Sequence, residues 1–137
     1  MALHPIGPKL FLLVGAGGVV GTCARYGLQL LLQSQPHSFP RGTLLVNIAG
    51  CFLFGFVMRY FAAGDIEVIR MRIAITVGFC ASFTTMSSFS YESLVLLETG
   101  RYWDAGVYLI LSIVGSLAAV AGGILVGQRA LGSAFGG

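Results

Sequence analysis

Hydroxyl side chains crowd an apolar segment that carries no charge between residues 73 and 91. Residues 77–90 read VGFCASFTTMSSFS. Lipid offers no hydrogen bonds, so hydroxyls and a loosened backbone at membrane depth must face protein or a water-filled path. This composition is typical of a helix that is interrupted within the membrane, where an ion meets backbone carbonyls and side-chain donors. The segment therefore predicts transport.

Two further segments carry polar groups at helical spacing. Thr43 and Asn47 lie four residues apart and share a helix face, and Asn47 is the only asparagine in the chain. Tyr108, Ser112 and Ser116 repeat at the same spacing and form one polar stripe. Such groups either bond to neighbouring helices or to their own helix, or they line a path for an ion. Three aligned hydroxyls favour the path.

Met86 and Phe89 lie three residues apart on one helical side, and so do Thr85 and Ser88. A methionine and a phenylalanine at this spacing are typical of core packing. The edge of an aromatic ring also carries partial positive charge, which can contact an anion. Both interpretations stay open from the spacing alone.

Two ionisable residues fall within or beside the apolar segments. Arg25 interrupts the first of them, where it either clamps a neighbouring helix or forms an electropositive vestibule that attracts anions. Clamping is the favoured interpretation, because a full charge deep in a pore would trap an anion. Glu92 follows Phe89 and is expected to be an anchor or a hydrogen-bond partner near the membrane boundary.

Composition excludes several classes of protein. The 137 residues are 56% hydrophobic and 9% charged, with a mean hydropathy of +0.88 and a net charge of +3. Soluble domains have about 25% charged residues. The basic residues are scattered at segment ends, so no patch follows a nucleic-acid backbone. His4 and His37 lie away from the hydroxyl-rich segments, and no nucleophile–base pair or metal-ligand cluster indicates an enzyme.

The charge-free stretches predict an all-α membrane protein with four transmembrane helices in a single domain, residues 1–137. The expected spans are about residues 10–33, 41–61, 70–97 and 102–128, each near the ~20 residues that cross the hydrocarbon. The third helix is expected to be broken at mid-membrane.

Charge at the ends of the spans shows only a weak orientation bias. With four spans, five basic residues lie on the side of the termini and three on the other. The first set is Lys9, Arg59, Arg70, Arg72 and Arg129; the second is Arg25, Arg41 and Arg101. A chain with so small a bias can insert in either orientation, which allows an antiparallel homodimer, and a modest preference for the termini inside is equally compatible with it. Four short helices bury little by themselves, so the chain is expected to be an oligomer.

These segments together resemble the Fluc (CrcB) family of fluoride channels. The resemblance is carried by residues 17–26 (GGVVGTCARY), residues 42–47 (GTLLVN), and residues 78–90 (GFCASFTTMSSFS) with Glu92. It runs over nearly the whole chain, in the same order across four spans. Any one of the segments alone would be weakly specific.

The resemblance implies a dual-topology, antiparallel homodimer in the plasma membrane, the bacterial inner membrane, with two fluoride pores. It also implies a structural sodium ion at the dimer interface, held by backbone carbonyls of Ala81 and Thr84 from each subunit. Asn47, Phe89 and Ser88 match pore residues of the family. The polar track is matched by Thr43, Tyr108, Ser112 and Ser116, and the acidic residue beyond it by Glu92.

One position departs from the family pattern. The family usually has Thr-Thr-Phe-Ser-Thr-Phe-Ser where residues 84–90 read TTMSSFS, so Met86 replaces the first of two pore phenylalanines. A thioether preserves bulk but has no comparable ring edge. Fluoride permeation is expected to survive with an altered rate.

Two other functions compete with the channel. A small four-helix proton-coupled multidrug exporter would also form antiparallel dimers, but it needs a titratable carboxylate in its substrate cavity, and Glu92 is the only acid near a span interior. A structural assembly subunit would use the hydroxyls only to join helices.

Overall fold

The computed structural model of the protein describes residues 7–32 and 38–135, with side chains described up to residue 132. His4 and His37 lie outside these ranges, as does residue 33 at the end of the predicted first span. Within them the chain is helical, and no strand occurs among the described residues. The all-helical architecture predicted from the sequence is therefore confirmed.

The helices follow one another closely along the chain. They are α1 (Pro8–Leu32), α2 (Arg41–Tyr60), α3 (Ile66–Ile73), a π-helical segment (Ala74–Cys80), α4 (Ala81–Phe83), α5 (Met86–Glu98) and α6 (Tyr102–Phe135). Three helices of the described chain, α1, α2 and α6, are long and apolar enough to cross a membrane. The chain is thus a multi-pass membrane protein. The third predicted span corresponds to α3, the π-helical segment, α4 and α5.

This third region is broken after Phe83. Thr84 and Thr85 adopt extended backbone conformations, with φ/ψ of −77°/156° and −146°/110°. The Thr85 hydroxyl then caps α5, accepting a hydrogen bond from the backbone N–H of Ser88 at 3.2 Å. The predicted interruption of the third helix thus lies at Thr84–Thr85, while its depth in a membrane stays a prediction.

The segment before the break begins at a polar turn. The Asp65 carboxylate caps α3, accepting from the backbone N–H groups of Glu67 and Val68 at 3.0 Å each. Glu67 in turn pairs with Lys9 at 3.0 Å and with Arg70. Hydrogen bonds from Lys9 and Arg70 lower the pKa of the exposed Glu67 carboxyl. The beginnings of α1 and α3 are thereby held at the same end of the helix bundle.

Glycines allow α2 and α6 to pack with their backbones nearly in contact. A Cβ on Gly55 would lie 2.2 Å from the carbonyl oxygen of Val120, and one on Gly123 would lie 2.1 Å from that of Phe52. Such approach is characteristic of small-residue interfaces in membranes. This α2–α6 pair is the most extensive helix contact of the described chain.

A second glycine seam joins α1 to the π-helical segment. A Cβ on Gly17 would lie 2.7 Å from the carbonyl oxygen of Ala74, and one on Gly21 would lie 2.5 Å from that of Phe79. Gly17 and Gly21 form the GxxxG pair of α1. The seam places α1 directly against the region that leads into the break.

Gly123→Ala tests the α2–α6 seam. The added methyl overlaps the Phe52 carbonyl, so the variant should lose about 1–3 kcal/mol of unfolding free energy, the usual cost of overpacking. Gly106→Ala is the matched control on the same helix, because its Cβ would meet nothing within 4 Å. Thermal unfolding in detergent micelles compares the two. If both variants unfold at the native temperature, the seam is not as close as the structure shows.

Candidate functional site

Asn47 holds the backbone of the helix break. Its Oδ1 accepts from the backbone N–H of Thr85 at 2.7 Å, and its Nδ2 donates to the carbonyl of Thr85 at 3.2 Å. The amide orientation is fixed by chemistry, because only its oxygen can accept from an N–H and only its nitrogen can donate to a carbonyl. One side chain of α2 thus replaces both backbone partners that Thr85 lacks outside a helix.

The break leaves backbone carbonyls of α4 without their helical partners. In a continuous helix the N–H of Thr85 would bond to the carbonyl of Ala81, but it bonds to Asn47 instead. The N–H of Thr84 still bonds to the carbonyl of Cys80 at 3.0 Å. Ala81 is exposed and Thr84 is half-buried. Their carbonyls are oxygen donors of the kind that coordinate Na⁺ in unwound membrane helices.

Arg25 binds another of these carbonyls. Its Nε donates to the carbonyl of Ser82 at 3.2 Å, from α1 across to α4. A positive charge at the C-terminal end of a helical segment is electrostatically favourable. The structure therefore places Arg25 against the backbone of a neighbouring helix.

A half-open groove of about 410 Å³ runs along the break between α2, α5 and α6. Most of its lining is apolar, with polar groups at a few points. The lining residues are Asn47, Cys51, Thr84, Thr85, Met86, Phe89, Ser112, Ile113, Ser116 and Leu117. The groove therefore gathers Asn47, Met86, Phe89, Ser112 and Ser116 out of the predicted pore residues.

Ser112 has the most telling position in this groove. Its hydroxyl oxygen is buried and finds no hydrogen-bond partner in the described part of the chain. Its neighbour on the stripe, Ser116, lines the groove one turn further along α6. An unpaired hydroxyl inside an apolar cavity costs free energy unless something enters to bond with it. Ser112 thus places an unpaired hydroxyl at the wall of the groove.

The remaining polar residues form a separate, partly buried network. Thr43 donates to Glu92 Oε1 at 2.8 Å, and Tyr108 donates to Glu92 Oε2 at 2.6 Å. Gln29 donates its amide proton to Thr43 Oγ1 at 3.0 Å. Thr43 and Tyr108 are fully buried. These hydrogen bonds thereby connect one side chain from each of four helices, α1, α2, α5 and α6.

This network lies between the groove and a smaller cleft. Glu92 lines the cleft, of about 180 Å³, together with Ser38, Thr99 and Arg101. On the other side, Tyr108 contacts Phe89, which lines the groove, with their ring centroids 5.4 Å apart. Tyr108 therefore contacts one lining residue of each cavity, Phe89 in the groove and Glu92 in the cleft.

The sequence-predicted residues consequently fall into two sets. The groove set is Asn47, Met86, Phe89, Ser112 and Ser116, and the network set is Thr43, Tyr108 and Glu92. Ser88 belongs to neither, because its side chain accepts from the Thr85 hydroxyl at 3.0 Å.

Sequence reasoning missed Gln29 and the role of the Thr85 backbone. Gln29 is a polar residue in the apolar stretch between Arg25 and Leu32, a signal that a partner on another helix was to be expected. The acceptor role of the Thr85 carbonyl left no such signal, since it depends on where α2 packs.

Known proteins match this chain over most of its length. Residues 12–124 match the family described as CrcB-like protein, Camphor Resistance (CrcB). A protein of Chlorobium phaeobacteroides strain BS1, named fluoride-specific ion channel FluC, is 44% identical over 106 residues, covering 77% of this chain and 83% of its own. A protein of the same name from Chlorobium luteolum is 40% identical over 121 residues, covering 88% and 94%. Another from Desulfotalea psychrophila is 39% identical over 118 residues, covering 86% and 91%.

Asn47→Leu tests whether the Asn47 side chain holds the backbone of the helix break in place. Leucine has a similar volume but leaves the N–H and the carbonyl of Thr85 without partners, so the unfolding free energy should fall by about 2–4 kcal/mol. Ser90→Ala is the control, because the exposed Ser90 hydroxyl bonds only to its own helix at Met86. Thermal unfolding in detergent measures both. Equal stability of Asn47→Leu and the native protein would contradict the role of Asn47.

Proposed function

The chain belongs to the CrcB family of fluoride channels, and from this premise we propose that it conducts fluoride passively across a membrane. Its relatives bear the name of a fluoride-specific ion channel, so the family is one of channels and not of enzymes, as the sequence predicted. The direction of net flow is set by the fluoride gradient. In a cell that has accumulated fluoride, the channel would export it and lower the cytoplasmic concentration.

The unpaired Ser112 hydroxyl in the groove is the observation that carries this proposal. Fluoride is small and strongly hydrated, so a pore must replace its lost water with hydrogen-bond donors. Ser112 and Ser116 supply neutral donors, and Phe89 supplies a ring edge with partial positive charge. Neutral donors bind an anion without the full charge that would prevent it from leaving.

The proposed path connects the groove to the cleft. An ion leaving the groove reaches Phe89 and Tyr108, and beyond them Glu92 and the cleft that contains Arg101. Because Tyr108 is fully buried, passage requires its side chain or that of Phe89 to shift. These rings are thus the narrowest point of the proposed path.

A second copy of the chain is proposed to close the groove. The rim of the groove is apolar, with Met86 71%, Ile113 56% and Leu117 68% exposed. Lipid over the groove would face the half-buried, extended Thr84 and the hydroxyl-bearing residues Ser112 and Ser116, with which it cannot form hydrogen bonds. The weak charge bias permits both insertion orientations, so we propose an antiparallel, dual-topology homodimer with two pores, in the inner membrane of a bacterium.

A structural sodium ion is proposed at the dimer interface. The exposed end of α4 fits such an ion, because the carbonyl of Ala81 loses its helical partner and Thr84 presents an extended backbone. Carbonyls of Ala81 and Thr84 from both subunits would hold the cation. Bound there, it supplies positive charge that offsets the carbonyl dipoles at two helix ends.

The exporter alternative is disfavoured by the position of the one candidate carboxylate. Glu92 is bonded to Thr43 and Tyr108 and does not line the groove. A proton-coupled exporter needs its titratable group in the substrate cavity.

Fluoride efflux from liposomes tests the proposed function, with chloride as the control ion. Vesicles that contain the purified protein should release fluoride down its gradient, should release chloride far more slowly, and should need no proton gradient. Fluoride should be favoured because the pore offers closely spaced hydrogen-bond donors in place of a positive charge.

Met86→Phe is measured in the same assay. The added ring restores the aromatic edge at the mouth of the groove, so the variant should still conduct fluoride but at a changed rate. Leu117→Phe is the matched control, because it adds a ring to an exposed groove residue on α6 that is not part of the polar stripe. Absence of fluoride release from both the native protein and Met86→Phe would refute the channel.

A further inference from the structure

Gln29 is the residue that α1 contributes to the network of Gln29, Thr43, Glu92 and Tyr108. Its amide Nε2 lies 3.0 Å from Thr43 Oγ1. The two helices approach closely at this point, since a Cβ on Gly42 would lie 3.2 Å from the Cα of Gln29. Thr43 is fully buried, so its hydroxyl can bond only to its immediate neighbours.

With Glu92 ionised, one arrangement of the protons satisfies the hydrogen bonds among Gln29, Thr43, Tyr108 and Glu92. A threonine hydroxyl has one proton and two lone pairs, and a carboxylate only accepts. Thr43 gives its proton to Glu92 Oε1, and Tyr108 gives its proton to Oε2. The amide proton of Gln29 occupies a lone pair of Thr43. The hydroxyl proton is thereby kept on the side of Glu92.

We propose that Gln29 is a positioning residue that holds the Glu92 carboxylate against Thr43 and Tyr108. This inference rests on the proposed function, because the benefit of holding Glu92 is that its negative charge stays turned toward the Thr43 and Tyr108 hydroxyls while an anion passes. Without the Gln29 amide, the Thr43 hydroxyl loses the bond that fixes its rotation, and its own bond to Glu92 weakens. A carboxylate that is held less firmly turns more readily into the cleft that it lines, where it repels fluoride.

The charged neighbours in the cleft support this arrangement. Arg101 also lines the cleft, and it pairs with Asp104 at 2.7 Å. Its positive charge is therefore already shared with a carboxylate in the first turn of α6. Glu92 is held by hydroxyl donors, and the orientation of those donors decides where its charge points.

Gln29→Met and Thr43→Val in a double-mutant cycle test the proposal by fluoride efflux. Methionine keeps the length of the side chain but donates nothing, so Gln29→Met should slow efflux roughly fivefold, the effect of losing one hydrogen bond. In the Thr43→Val background the same change should alter efflux by less than about twofold, because Gln29 acts through Thr43. Gln128→Met is the control, since the exposed Gln128 lies outside the network. Equal slowing in both backgrounds would overturn the proposal.

Infrared spectroscopy gives a second measurement that does not depend on transport. The carboxylate band of Glu92, identified by its loss in Glu92→Gln, should shift in Gln29→Met and shift no further when Thr43→Val is added. Gln29→Glu offers only acceptors, so it should draw the Thr43 proton away and shift the band as well. If the native protein carries no fluoride, the proposed function fails, and the band still decides the role of Gln29. An unchanged band in Gln29→Met and Gln29→Glu would overturn it.

Discussion

The two hydrogen bonds between Asn47 and the backbone of Thr85 are the interaction on which the rest of the structure depends. A helix that stops within an apolar protein exposes N–H and carbonyl groups that lipid cannot satisfy. The Asn47 amide supplies one donor and one acceptor in a single group, which is what the extended Thr85 requires. Because α2 is packed backbone to backbone on α6 through glycines, this bond fixes the break relative to both helices. The groove lies beside this break, between α2, α5 and α6.

The same constraint divides the polar residues between two tasks. Near the break, the groove keeps Ser112 and Ser116 as neutral donors among apolar walls, where an anion could replace its hydration. Beyond Tyr108, the polar groups satisfy one another around Glu92 and leave little for an ion. Tyr108 belongs to the network by its hydroxyl and to the groove wall by its ring contact with Phe89. Along the proposed path, a fluoride ion would meet first neutral donors, then an aromatic constriction, and finally a carboxylate that already accepts two hydrogen bonds.

Much of the architecture follows from the sequence, because its physical causes are local. Charge-free stretches mark the helices, and the crowding of hydroxyls at residues 82–90 marks the interrupted one, since threonine and serine are favoured at helix caps over helix interiors. The spacing of Tyr108, Ser112 and Ser116 correctly places them on one face of α6. That Tyr108 faces a partly buried network while Ser112 faces a groove depends on the register of α6 against α2 and α5. The same holds for Gln29, whose partner lies on another helix, and for the π-helical segment, which no residue pattern announces. The spacing of residues along a helix predicts which of them share a face. Which other helix that face contacts depends on the packing of the whole chain.

Hydrogen–deuterium exchange at the backbone amide of Thr85 tests the central interaction most directly. Thr85 lies outside any helix, so in an ordinary loop its amide would exchange rapidly wherever water reaches the groove. The bond to Asn47 Oδ1 predicts that it exchanges as slowly as the amides within α5, and that this protection is lost in Asn47→Leu. Rapid exchange at Thr85 in the native protein would contradict the account.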